Sequence, residues 1–308
     1  MGTAAIGSAV TSWSYEPCTI MSTPSLSVVM PTFNQASRLA LTLSSLTRQD
    51  PPPAEWELIV VDDGSQDQTQ AVVEGYLERL PIRVVQQDQA GRAAARNAGA
   101  GRAVGRTLVF CDGDRICGPS FLAAHSRFPA NAALINLGEI REVYIADFDD
   151  RVQELLMDVL AGCPWLAQRA RRPHFVAELY RHLIGPEGSR DPSLAWLGFL
   201  SGNVSMPRSV FELVGGFDED FVDWGFEHFE LGYRLVNVGA VVRHVPDAVN
   251  FHVAHRREPG LYEAGIESSA ALLRRKHPRM PVAGLVALSR GELSLEAFLA
   301  NASAGLPQ

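Results

Sequence analysis

Two aspartates flank a glycine directly after an apolar run, where Thr107–Cys111 leads into Asp112-Gly113-Asp114. Carboxylates two residues apart on a tight turn suit a hard divalent cation that keeps positions open for phosphate oxygens. A plain Asp-Gly turn with solvated acids is the competing account. Two apolar runs earlier, Glu57–Val61 ends in Asp62-Asp63-Gly64-Ser65, with Asp67 and Thr69 beyond. A carboxylate there can accept hydrogen bonds from a base N–H or a ribose hydroxyl. Ser65 or Asp67 can equally cap a helix, and such a cap would fix the loop that carries Asp63. Farther along, Trp224-Gly225 enters a helix whose first turn holds Glu227 and Glu230. Acids at that end complement the helix dipole, or one of them acts as a base beside a stacking tryptophan. His252 and His255 follow on a strand and its exit, and lone histidines are more often structural than ligands.

These acids sit where apolar runs stop. Leu26–Met30, Glu57–Val61, Ile82–Val85 and Thr107–Cys111 read as buried strands, while Ala36–Thr47, Asp67–Arg79 and Arg92–Ala103 read as helices. Continuous apolar strands alternating with helices imply a parallel sheet covered on both faces. Ligands of such sheets lie at the carboxyl ends of the strands, where Thr32–Asn34, Asp62–Ser65 and Asp112–Asp114 gather. The second half differs. Ala132–Ile145 reads as one or two strands, and Asp149–Leu183 as mostly helical, with Arg169–Arg172 either meeting an anionic acceptor or, the more common case, on a solvated helix face. Leu197–Met206 is apolar with a Gly-Asn break at Asn203, and Glu227–Val238 is a compact helix. Val241–Val245 and Val249–Val253 read as two strands, followed by helices at Glu263–Lys276 and Leu293–Ala300. Gly99, Gly101 and Gly105 do not form a dinucleotide fingerprint, because they end a helix before a strand and their last gap is too long.

The chain has 308 residues, a formal net charge of −8, 46% hydrophobic and 20% charged residues. That length supports one or two domains with a full core. An acidic balance with Lys276 as the sole lysine argues against nucleic-acid binding. Four scattered cysteines make neither a disulfide scaffold nor a zinc ribbon. No apolar run is long enough for a membrane span, so a cytoplasmic protein is expected. Residues 1–23 carry one charge, Glu16, and read as a flexible extension or the result of an early start.

Ser27–Asn34, Leu58–Thr69, Gly91–Gly99 with Ala95-Arg96-Asn97, Val109–Asp114 and Gly215–Leu235 together resemble GT-A glycosyltransferases of family 2. Five motifs in consistent order span about residues 26 to 255. The Trp-Gly-x-Glu segment is similar to the galactosyltransferase-type acceptor halves of chondroitin polymerases and polypeptide N-acetylgalactosaminyltransferases. The resemblance implies an α/β GT-A fold, a mostly parallel sheet flanked by helices with a helical insert at about 149–184. It implies a transferase domain over 24–258, divided near 130 into nucleotide-sugar and acceptor halves, and a helical segment over 259–308. It also implies transfer of a hexosyl or N-acetylhexosaminyl group from a UDP-sugar with Mn²⁺ or Mg²⁺.

Carried over by resemblance, Pro31 and Thr32 line the uridine pocket, Asp63 binds uracil, and Arg96 steadies the acidic loop or the pyrophosphate. Asp112 meets ribose or metal, Asp114 ligates the metal, and His252 is a third metal ligand. Trp224, Asn203, His255 and Arg256 are expected at the phosphates or the acceptor. The chain departs from the family at Glu227-His228, where family 2 usually has Glu-Asp and uses that aspartate as the base of inversion. An imidazole can serve as a base near neutral pH, so His228 or Glu227 takes that role, or the reaction is retaining. A nucleotidyltransferase would need a glycine-rich basic loop after the first strand, which Pro31-Thr32-Phe33-Asn34 does not offer. A non-catalytic nucleotide-sugar binder stays open, and so do a glycan, peptide or small-molecule acceptor and a homo-oligomer.

Overall fold

The structure is a computed structural model, and it describes residues 24–49, 56–127, 133–223, 225–254 and 259–303. The expected extension over 1–23 therefore lies outside the described residues. One sheet organises the rest. Its strands are β1 (Leu26–Thr32), β2 (Trp56–Asp62), β3 (Ile82–Gln86), β4 (Thr107–Phe110), β5 (Arg115–Cys117) and β6 (Leu134–Tyr144), then β9 (Val204–Pro207) and β10 (Val241–Ala254). Strands β7 (Ile184–Gly185) and β8 (Gly188–Ser189) make a separate small hairpin. The spatial order is β3-β2-β1-β4-β9-β6-β10-β5. Pairs among β3, β2, β1 and β4, and the pair β6–β10, are parallel, while β9 and β5 run against their neighbours.

The first half folds as its pattern requires. Alternate residues of a strand face opposite sides of a sheet. Val28, Met30, Leu58 and Val60 join Leu39 and Leu43 of α1 (Ala36–Leu46) in one core. Val29, Ile59 and Val61 join Ala93 and Ala95 of α3 (Arg92–Arg102) in the other. A Cβ on Gly99 would lie 2.5 Å from Val29 Cγ1 and 2.9 Å from Val61 Cγ2, so this glycine lets α3 lie directly on the sheet. Helix α2 (Thr69–Glu74) is shorter than the expected Asp67–Arg79. Gly75, a poor helix former, ends it, and tighter turns continue to Arg79.

The second half departs further from its pattern. Residues 134–144 form one strand, and the two apolar runs after Val241 are one strand whose register with β6 shifts between Val245 and Val249. Helices α4 (Phe121–Ser126), α5 (Val152–Leu160), α6 (Pro164–Arg169), α7 (His174–His182) and α8 (Arg208–Leu213) fill the connections. The basic stretch is not a solvated helix face. Arg171 and Arg172 lie in the link from α6 to α7, where Arg172 forks onto buried Glu139 at 3.0 and 2.8 Å. Glu139 is held below the usual carboxylate range because, against burial, His244 and Arg172 favour its charge. Helix α9 (Glu227–Asn237) carries the Glu-His pair, and α10 (Pro259–Lys276), α11 (Val282–Ser289) and α12 (Leu295–Ser303) close the carboxyl end. Among the described residues no helix is long and apolar enough to cross a membrane.

Candidate active site

The strand ends of the first half converge because the register makes them level. Thr32 pairs with Asp62, and the Asp63 amide donates to the Thr32 carbonyl at 3.0 Å. Asp63 is buried and accepts from the amides of Ala90 and Gly91 at 2.9 and 3.0 Å and from Gln87 Nε2 at 2.7 Å. It thereby clasps the loop before α3, where Gly91 supplies a backbone at φ +93° that other residues rarely adopt. Asp67 secures the neighbouring turn, accepting from the amides of Thr69 and Ala36, while the Ser65 hydroxyl accepts from the Asn34 amide.

Arg96 lies fully buried at the centre of the site. It donates to Asp112 Oδ1 at 2.8 Å and to Glu227 Oε1 at 3.2 Å, with its guanidinium 5.2 Å from the Phe217 ring centre. One cation thus ties the Asp-Gly-Asp turn to the first turn of α9. Phe226, at φ +30°, holds the strained entry to that helix. Burial alone would raise the Glu227 pKa, but His228 and Arg96 outweigh it and bring it down to about 2. His228 Nδ1 stands 3.6 Å from Glu227 Oε2, and its ring packs on Phe229 with centres 4.1 Å apart.

Asp114, Arg115 and His252 come together through β5 and β10. His252 Nε2 is 3.4 Å from Asp114 Oδ2, and Arg115 Nε is 3.5 Å from Asp114 Oδ1. His252 Nδ1 meets Glu142 Oε1 at 2.7 Å. Burial works against the imidazolium, yet the bonds to Asp114 and Glu142 prevail and raise the His252 pKa above its ordinary value. Pro31, Thr32, Asp63, Arg96, Asp112, Asp114, Glu227, His228 and His252 all border one cavity of about 890 Å³. The aspartates and His252 lie on its wall together with the strand ends, and His228 borders it from α9.

Residues 27–181 match the family described as glycosyl transferase family 2, and residues 187–256 match the N-terminal domain of galactosyltransferase. The chain belongs to glycosyltransferase family 2. Validoxylamine A glucosyltransferase of Streptomyces hygroscopicus subsp. limoneus is 36% identical over 275 residues, covering 83% of this chain and 58% of that protein. The family 2 chain thus spans about three fifths of that relative's length. S. aureus TarS 1-349 in complex with UDP superimposes with a TM-score of 0.55 at 19% identity, over 81% of this chain and 65% of that one. GalNAc-T7 with UDP, GalNAc and Mn²⁺ also gives 0.55 at 19% identity, over 85% and 52%. Both likenesses are of fold, and the fold is GT-A.

One expected site residue of this family 2 chain is misplaced. Asn203 is buried away from the cavity, its amide donating to the Ala248 carbonyl at 2.9 Å and its Oδ1 facing His125 Nε2 at 3.0 Å. A polar break in an apolar run served an internal partner. Trp224, His255 and Arg256 lie outside the described residues. Other lining residues had no local signal: Phe175 and Val176 come from the insert, Tyr262 and Leu288 from the carboxyl-terminal helices, and Glu142 from β6. Glu142 could have been found only as the strand neighbour of His252.

His125 itself leads to a stability prediction. It is fully buried between Asn203 and Ser205, and burial pushes its pKa down to about 4 from 6.5, against the Asn203 hydrogen bond. The unfolded chain therefore binds a proton that the fold refuses, so stability is intact above pH 6.5 and falls as pH drops toward 4. The loss attributable to this group should reach about 3 kcal/mol. Denaturant melts across that range should show the slope, and His125→Asn should flatten it. An equal slope in both proteins would refute the assignment.

Proposed function

We propose that this protein is a metal-dependent, inverting transferase that moves a sugar from a UDP-sugar to an acceptor hydroxyl, amine or thiol. The observation that carries the reading is the shared cavity wall, on which Asp112, Asp114 and His252 lie beside the strand ends while His228 stands on the helix that Arg96 ties to Asp112. UDP in the TarS structure, and UDP with Mn²⁺ in the GalNAc-T7 structure, support the choice of donor and ion. The donor set fits such an ion: two carboxylates and an imidazole are hard and borderline ligands, suited to Mn²⁺ or Mg²⁺. Among the described residues no three acids, histidines or cysteines are drawn together closely enough to hold an ion by themselves, so a cation here would be completed by substrate phosphates.

Pro31, Thr32 and Asp63 hold the uridine, and Asp112 and Asp114 face the diphosphate with His252. A bound cation would neutralise charge growing on the leaving diphosphate. His228 takes the acceptor proton. The acceptor rests against Phe175, Val176, Leu200 and Tyr262, an apolar wall that favours a ring or other apolar face beside the nucleophile.

The test follows UDP release from a set of UDP-sugars with Mn²⁺, with and without acceptors, read by mass. Slow donor hydrolysis is the expected baseline, whereas tight binding without any turnover would make the protein a nucleotide-sugar binder. Asp114→Asn should lose UDP-dependent Mn²⁺ binding and slow UDP release by more than about 100-fold, the scale of several kcal/mol of charge stabilisation. Full activity in that variant, or in wild type under excess chelator, would overturn the metal assignment.

A further inference from the structure

We propose that Glu142 is a positioning residue that sets the tautomer and orientation of His252 for cation binding; this rests on the reading that Asp114 and His252 hold the metal. An imidazole that ligates through one nitrogen needs the other nitrogen's proton placed on an acceptor, which fixes the ring and strengthens the ligating nitrogen. Glu142 is built for that task by the sheet. His252 on β10 is the register partner of Glu142 on parallel β6 and of Arg115 on antiparallel β5. Register partners sit side by side on one face, so the row Arg115–His252–Glu142 follows from strand pairing alone. Asp114 precedes Arg115, and this brings its carboxylate to the Nε2 side of the ring. Glu142 takes the Nδ1 side, at 2.7 Å.

The backbone that carries this carboxylate is also anchored from behind. The Glu142 amide donates to the Arg171 carbonyl at 2.7 Å, and the Arg171 amide donates to the Glu142 carbonyl at 2.9 Å. This isolated bridge pins Glu142 where the insert meets the sheet, and residues shortly beyond it, Pro173, Phe175 and Val176, border the cavity. From a fixed backbone, Glu142 therefore accepts the hydrogen bond of Nδ1–H, leaving Nε2 to face Asp114 and the diphosphate end of the cavity. A glutamine in its place still offers a carbonyl oxygen to Nδ1–H, whereas alanine offers nothing.

Mn²⁺ affinity in the presence of saturating UDP, read from the free-ion paramagnetic signal, separates these cases. His252→Ala marks the loss of the ligand itself. Glu142→Ala should weaken Mn²⁺ by about 10- to 100-fold, the usual effect of removing a partner behind a metal-bound histidine. Glu142→Gln should stay within about threefold of wild type, on the reasoning that orientation and not charge is what Glu142 supplies. Melting temperatures without ligand, measured alongside, should move little in either variant. Wild-type affinity in Glu142→Ala overturns this inference and leaves the metal site standing. Equal weakening in Glu142→Gln and Glu142→Ala also overturns it, because the carboxylate would then bind the cation directly. Wild type that binds no Mn²⁺ with UDP overturns the metal site and this inference together.

Discussion

Arg96→Met should destabilise the fold by about 3–5 kcal/mol and leave almost no transferase activity, because it strips the cation from two carboxylates. Arg96 is completely buried, and Glu227 is nearly so. With the guanidinium gone, Glu227 keeps His228 and the Arg92 charge, and Asp112 loses its 2.8 Å partner. The uncompensated charges then either take up protons or pull the helix entry at Phe226 toward water. Arg96→Lys should fall between wild type and Arg96→Met, since an ammonium keeps the charge but cannot fork to both oxygens. The pH dependence carries the same signature. Glu227 titrates at about 2 in the fold against 4.5 in an ordinary chain, so its contribution is complete above pH 4.5 and is lost as pH falls toward 2. Urea melts of the single variants and of Arg96→Met/Glu227→Gln decide the matter. The double variant should recover part of the loss, and a change below about 1 kcal/mol in Arg96→Met would mean that the bridge does not hold the two segments together.

Strands β1, β2 and β4 were legible because both of their faces are buried, which leaves short unbroken apolar runs with acids at their ends. That is also why Asp63, Asp112 and Asp114 stood out. Strand β10 was harder. It carries Arg243, His244, Asn250 and His252, polar residues whose partners come from β6 and the loop before β9. Pro246 and Asp247 interrupt the run where its register with β6 shifts, so it reads as two, although the backbone continues through. Strand β5 has three residues, too few for any period. The acceptor side was illegible for a different reason. Phe175 and Tyr262 reach the cavity from an insert and a carboxyl-terminal helix, and nothing local in either stretch distinguishes a lining aromatic from a core one. Asn203 was misread because a sequence break shows that a polar group is present but not what it bonds.

His228→Ala should slow transfer to acceptor by about 10²- to 10⁴-fold, the range for a positioned general base, while UDP binding persists. Two neighbouring side chains, the Glu227 carboxylate and the His228 imidazole, compete for the role, and their surroundings separate them. Glu227 is buried and held at about 2 by His228 and Arg96, and a base that binds its proton so weakly gives little drive to deprotonate a hydroxyl. His228 borders the cavity with its ring braced on Phe229. On the proposed reading, Glu227 Oε2, at 3.6 Å from Nδ1, would stabilise the imidazolium formed when the acceptor proton arrives, and the glutamate would support the base without being one. Glu227→Gln should therefore lower both activity and melting temperature, since it also unpairs Arg96, whereas His228→Ala should lower activity with a much smaller change in melting temperature. His228→Asp restores the carboxylate usual in the family at that position and should recover part of the lost rate. Transfer at the wild-type rate in His228→Ala, alongside failure in a Glu227→Gln that still melts normally, would move the base to Glu227.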